Sequence, residues 1–173
     1  METNSKSMAS KKAIKVETVQ DIKRLEWDYS ESQIQHTCKM WFDATFPDIA
    51  NLLFAAENGG YRTPKAAAMA KYEGMVSGAP DLILFPTKYN TMALGIEMKR
   101  PRKPANKQFG IKGRDGGTQS EDQKAWEETC KNNGGQYKVC RGLIEFIEII
   151  CDHFWFPSGE FITEAIRRYD EWR

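Results

Sequence analysis

Two short apolar runs, Asp81 to Phe85 and Met92 to Met98, constrain this chain more than any other feature. Both have the length of a strand, and Lys88-Tyr89-Asn90 between them supplies a turn, so the pair predicts a β-hairpin. Side chains on a strand alternate between faces. Asp81, Ile83 and Phe85 therefore share one face of the first run. In the second, Gly95, Glu97 and Lys99 share a face while Leu94, Ile96 and Met98 take the other. Antiparallel pairing sets the start of the first strand beside the end of the second. Two carboxylates and a lysine then meet at one end of a sheet.

The rest of the chain reads as α/β, with a central mixed sheet flanked by helices. Ser30-Glu31 opens a helix to about residue 45, carried by Ile34, Cys38, Trp41 and Phe42 at helical spacing. Asn51 to Glu57 suits a strand closed by the turn Asn58-Gly59-Gly60. Pro64 starts an Ala-rich helix to Glu73, Ser120 another to about Lys131, and Gln136 to Cys140 is a strand. Leu143 to Cys151 and Ser158 to Trp172 complete the pattern as helices. Pro101 to Thr118, with four glycines and two prolines, is predicted to be a long loop, and loops of that length tend to be functional.

At 173 residues the chain is one domain's length, so residues 21–173 are expected to form a single domain after a disordered basic tail over 1–20. No apolar run reaches the roughly 20 residues of a membrane span, and the first residues lack the apolar stretch of a secretory signal. A cytoplasmic location is expected. Cys38, Cys130, Cys140 and Cys151 form no CxxC pair and read as reduced thiols. His36 and His153 are the only histidines, too few for most histidine-based catalysis. Net charge is +1, but the segment from Lys99 to Arg114 holds seven cations (Lys99, Arg100, Arg102, Lys103, Lys107, Lys112 and Arg114) and no acid. That segment is either a solvated loop or a phosphate-binding one. Arg62 and Lys71 are further phosphate-contact candidates, each better read, taken singly, as an ordinary surface cation.

Two adjacent carboxylates repel unless a cation lies between them, and Mg²⁺ is typically held by one or two carboxylates plus substrate phosphate. Lys99 would then orient water and offset charge on a phosphate. Spacing alone leaves the alternative of a solvated Glu97–Lys99 pair at a strand end. Glu31 shares a helix face with Ile34 and Cys38, so it points inward, although an acid there also suits the helix dipole. Gln123, three after Ser120, fits a capping box, yet its face also carries Trp126 and Cys130.

Taken in order, Gly78-Ala79-Pro80-Asp81, Gly95-Ile96-Glu97-Met98-Lys99 and Gln123 resemble the VRR-NUC (virus-type replication-repair nuclease) branch of the PD-(D/E)xK superfamily. Glu31 and Asn58-Gly59-Gly60-Tyr61-Arg62 add to the likeness, which covers about residues 30 to 150. The resemblance implies a restriction-endonuclease-like core using Mg²⁺ or Mn²⁺. Asp81, Glu97 and the Met98 carbonyl would be metal ligands, with Glu31 reaching the metal directly or through water. Lys99 would be the catalytic lysine and Gln123 would position it or the water. It further implies an endonuclease acting on branched DNA, similar to Holliday-junction resolvases, working as a homodimer and at home in a bacterial or phage-infected cell. The alternatives are a flap or general endonuclease, or a non-catalytic binder of structured DNA. The segment between Lys99 and Gln123 is longer and more basic than the family pattern. Phe161, Ile162, Ala165, Ile166 and Tyr169 are either a dimer contact or part of the chain's own core.

Overall fold

Leu82, Leu84, Leu94, Ile96 and Met98 line one face of a sheet and are wholly buried, as the alternation predicts. The computed structural model describes residues 15–56 and 63–173. Its elements are α1 (Val19–Glu26), α2 (Glu31–Thr45), β1 (Leu53–Ala55), α3 (Pro64–Tyr72), β2 (Leu82–Leu84), β3 (Leu94–Met98), α4 (Glu121–Asn132), β4 (Gln136–Cys140), α5 (Leu143–Phe154) and α6 (Gly159–Arg168). The four strands form one mixed sheet in the order β1-β2-β3-β4. β1–β2 and β2–β3 pair antiparallel, and β3–β4 pair parallel. The predicted hairpin is therefore present, with Leu82 opposite Ile96 and Ile83 opposite Gly95.

Helices α2 and α5 pack on the apolar face through Ile34, Cys38, Trp41, Phe42, Phe146, Ile147 and Ile150. Trp41 meets Phe146 edge to face at 5.9 Å between ring centroids, a favourable aromatic geometry. On the other face α4 lies along β4, with Trp126 5.7 Å from Tyr137. Ala165 and Tyr169 are fully buried, and Phe161, Ile162 and Ile166 pack against the same core. The apolar side of the C-terminal helix is thus spent inside the chain.

Some elements depart from expectation. Helix α1, capped by a Thr18–Asp21 box, was not anticipated and begins inside the expected tail. The first strand is shorter than Asn51–Glu57, because Ala50–Leu52 forms a 3-10 turn. The Asn58-Gly59-Gly60 turn and Arg62 lie outside the described residues. Residues 101–118 are an ordered arm, with bridges between Lys103 and Arg114 and between Asn106 and Ile111. Among the described residues, no helix is long and apolar enough to cross a membrane.

Candidate active site

Asp81 stands one residue before β2, so the register carried one step back from Leu82 sets it opposite Glu97. Its backbone carbonyl accepts from Ala56 N–H at 2.9 Å, continuing the ladder to β1. Its side-chain Oδ2 accepts from Met98 N–H at 2.8 Å, which ties the carboxylate to β3. Gly78, three residues earlier, has φ 81°, and a Cβ there would lie 2.3 Å from the Asp122 carbonyl oxygen. Only glycine permits both that dihedral and that approach, so the Gly78-to-Asp81 turn docks directly on the start of α4.

Glu97 projects to the α4 side and is 1% exposed, with Lys99 beside it at 8%. Lys99 Nζ donates to Glu97 Oε1 at 2.7 Å, and Tyr137 OH donates to Oε2 at 3.2 Å. Gln123 Nε2 donates to Oε1 as well. Gln123 also closes the capping box of α4: its Oε1 accepts from Ser120 N–H at 2.8 Å, and its own N–H donates to Ser120 Oγ at 3.3 Å. One side chain thus closes the helix cap and bonds Glu97 at the same time.

Burial is the main cause pushing the Asp81 carboxyl above its ordinary pKa, and the charge of Glu31 adds to it. The Met98 N–H and Lys99 act against the shift. Glu97 is likewise raised, first by burial and then by Asp81, with Lys99 and Tyr137 opposing. Ionising both groups is therefore costly in this pocket. Tyr137 is raised chiefly by burial and stays protonated, so it remains a donor.

Glu31 begins α2, the first helix the sequence pattern shows, and its Oε1 accepts from Arg100 N–H at 3.1 Å. Gly117 closes over it. A Cβ at 117 would lie 3.1 Å from Glu31 Oε1 and 3.2 Å from Lys99 Cδ, so a larger residue there would crowd both side chains. Among the described residues no cluster of three or more His, Cys, Asp or Glu side chains is close enough to hold a metal by itself. The pair Asp81 and Glu97 nonetheless fits a hard divalent cation, since both donors are oxygens and both are disfavoured as bare anions. Met98 N–H is bonded to Asp81, and the charge of Glu31 is felt at the Asp81 carboxyl.

The basic arm divides into two groups. Lys103 pairs with Asp28 at 2.5 Å, and Arg114 donates to the Trp27 carbonyl at 2.7 Å, so these two anchor the arm on the α1–α2 connection. Arg102, Lys107 and Lys112 are exposed, while Arg100 is half-buried beside the site. Lys71 is exposed on α3 and takes part in none of the contacts that build the site.

Sequence reasoning missed Tyr137 and Gly117. Tyr137 was legible in principle, since β4 pairs with β3 and register sets Tyr137 against Gly95, on the face of Glu97. Gly117 was not, because its role depends on how the arm returns.

No curated protein and no solved structure matches the chain. The VRR-NUC domain family does match it, over residues 20–143. That stretch holds every carboxylate, lysine and glutamine of the pocket described above, and it is well over half of the sequence. The protein belongs to the VRR-NUC domain family, and its domain is of nuclease type.

Proposed function

We infer that the chain is a metal-dependent DNA endonuclease with a PD-(D/E)xK core, hydrolysing phosphodiester bonds at the Asp81–Glu97–Lys99 pocket. The observation that carries this is the buried lysine and carboxylate pair at one end of the sheet, next to a cationic arm. Asp81, Glu97 and the Met98 carbonyl would hold Mg²⁺ or Mn²⁺, with Glu31 assisting. The ion would supply Lewis-acid polarisation of the phosphate and make water more acidic.

The chain's own groups do the rest. Lys99 brings a positive charge to the place where negative charge builds on the phosphoryl oxygens. Gln123 and Tyr137 donate to the two oxygens of Glu97 and fix its orientation. Met98 N–H fixes Asp81. Glu31 accepts from the Arg100 backbone and so holds the base of the arm against the pocket. A preference for branched DNA and a homodimeric state are the family's expectation, and a substrate panel decides the first.

The test is cleavage of labelled four-way junction, flap and linear duplex, each with Mg²⁺, Mn²⁺ or EDTA. Wild type should cut only with metal, and Lys99→Ala should be slower by at least about a hundredfold. Cutting in EDTA, or an unimpaired Lys99→Ala, would remove the proposed roles. Binding without cutting by either protein would make the chain a non-catalytic binder of structured DNA.

A further inference from the structure

The arm between Lys99 and Gly117 ends in a small exposed tip whose chemistry the pocket does not use. Two pairs of backbone hydrogen bonds stiffen it. Lys103 and Arg114 exchange N–H···O bonds of 2.9 Å each, and Asn106 and Ile111 exchange bonds of 2.9 and 2.8 Å. At the turn, Asn106 Oδ1 accepts from the N–H groups of Gln108 and Phe109 at 3.1 and 3.4 Å. The base is held by Arg114 and Lys103 on residues 27 and 28, and by Gly117 N–H to the Arg100 carbonyl at 2.9 Å. The tip therefore keeps one shape relative to the pocket.

That shape presents Phe109, 72% exposed, between the exposed cations Lys107 and Lys112. A lone exposed apolar side chain on a surface needs no explanation. This one stands at the end of an ordered arm with no acid from residue 100 to 114. Its neighbours Gln108 and Gly110 offer no apolar patch of the size a protein contact requires. An aromatic ring with flanking ammonium groups matches a polyanion whose interior is a stack of π faces.

We propose that the arm is a DNA wedge: Phe109 enters or caps the base stack while Lys107 and Lys112 grip the flanking phosphates. The inference rests on the DNA-binding half of the nuclease reading and adds a substrate requirement to it, a site where bases are already unstacked or open cheaply. Nine Cα steps run from Arg100 to Phe109, so the backbone of the tip lies at most about 30 Å from Arg100. That is less than one turn of B-DNA, about 34 Å. The opened step therefore lies within one helical turn of the bond brought to the pocket.

The test uses the full chain in EDTA, where no cleavage interferes, and duplex and four-way-junction DNA carrying 2-aminopurine at successive positions. Wild type should raise 2-aminopurine fluorescence at one or two adjacent steps. Phe109→Ala should abolish that rise and weaken binding roughly tenfold, while Phe109→Trp retains both. Lys107→Ala/Lys112→Ala should reduce the salt dependence of binding by about two charges and weaken all sequences alike. Phe109 is exposed, so the variants should melt as wild type does. If Phe109→Ala binds and opens DNA as well as wild type, the wedge is wrong, whereas wild-type cleavage in Mg²⁺ would still support the nuclease. If cleavage is absent but the Phe109-dependent fluorescence persists, the nuclease reading fails and the wedge stands. Loss of self-association in Phe109→Ala with DNA binding unchanged would assign the tip to contacts between chains and overturn the proposal.

Discussion

Gln123 shows how little room the site leaves for change. Its amide nitrogen serves Glu97 and its amide oxygen serves the first turn of α4, so neither half can be exchanged without cost to the other. Glu26 is a second residue with a double load, at a distance in sequence from the pocket. Gly142, the N-cap of α5, has no side chain to cap with. Glu26 Oε1 takes that duty, accepting from Leu143 N–H at 3.0 Å and from Tyr169 OH at 3.4 Å. The carboxyl is 1% exposed, and burial raises its pKa to about 7, against the opposing Leu143 and Tyr169 hydrogen bonds and the charge of Lys23. A folded-state pKa above the unfolded one means that the native state holds the proton more tightly. The stabilisation from this group is whole below the unfolded value near 4.5 and drains away as pH rises through about 7. The integrated change is about 3 kcal/mol. Urea denaturation at pH 5 and pH 8 should show wild type losing an amount of that order, while Glu26→Gln loses little and is the more stable protein at pH 8. Equal pH slopes for the two would mean that Glu26 is ionised at little cost in the fold.

Among the elements, α6 has the clearest consequence. Ala165 and Tyr169 are fully buried and Trp172 nearly so, all within the cluster that holds Trp41 and Phe146. Deleting large core side chains costs about 3–5 kcal/mol each, against a typical total stability of about 5–15 kcal/mol. A chain ended after Pro157 should therefore fail to give a cooperative melt by circular dichroism. A truncated protein that still melts cooperatively would show the helix to be dispensable. The β2–β3 hairpin was legible in the sequence because alternation and a turn are local signals, and with it came the convergence of Asp81 and Glu97. Helix α1 was not. It has eight residues, and Glu26 occupies a buried position where the pattern wants an apolar one. The arm reads as a loop because Pro, Gly and Lys dominate it, and its bridges depend on anchors at Trp27 and Asp28 that no local window contains. Tyr137 escaped for a similar reason, since its contact with Glu97 spans forty positions and a parallel pairing.

At the scale of the whole molecule the pocket has no single home. Glu31 comes from α2, Asp81 from the entry to β2, Glu97 from β3, Gln123 from α4 and Tyr137 from β4. None of these segments can hold the geometry alone, so catalysis on the nuclease reading should vanish with the global unfolding transition. Cleavage rate and fluorescence followed together along a urea series should share one midpoint. Activity lost well before the fluorescence change would instead mark local opening, with the arm or α4 leaving first. The parallel pairing of β3 with β4 carries this one step further into the life of the chain. Until the ribosome has delivered Cys140, β3 lacks its parallel partner and Glu97 lacks its tyrosine. On the nuclease reading, a nascent polypeptide that has not yet paired β4 with β3 should therefore leave DNA uncut. On that reading, cutting belongs to the completed fold alone.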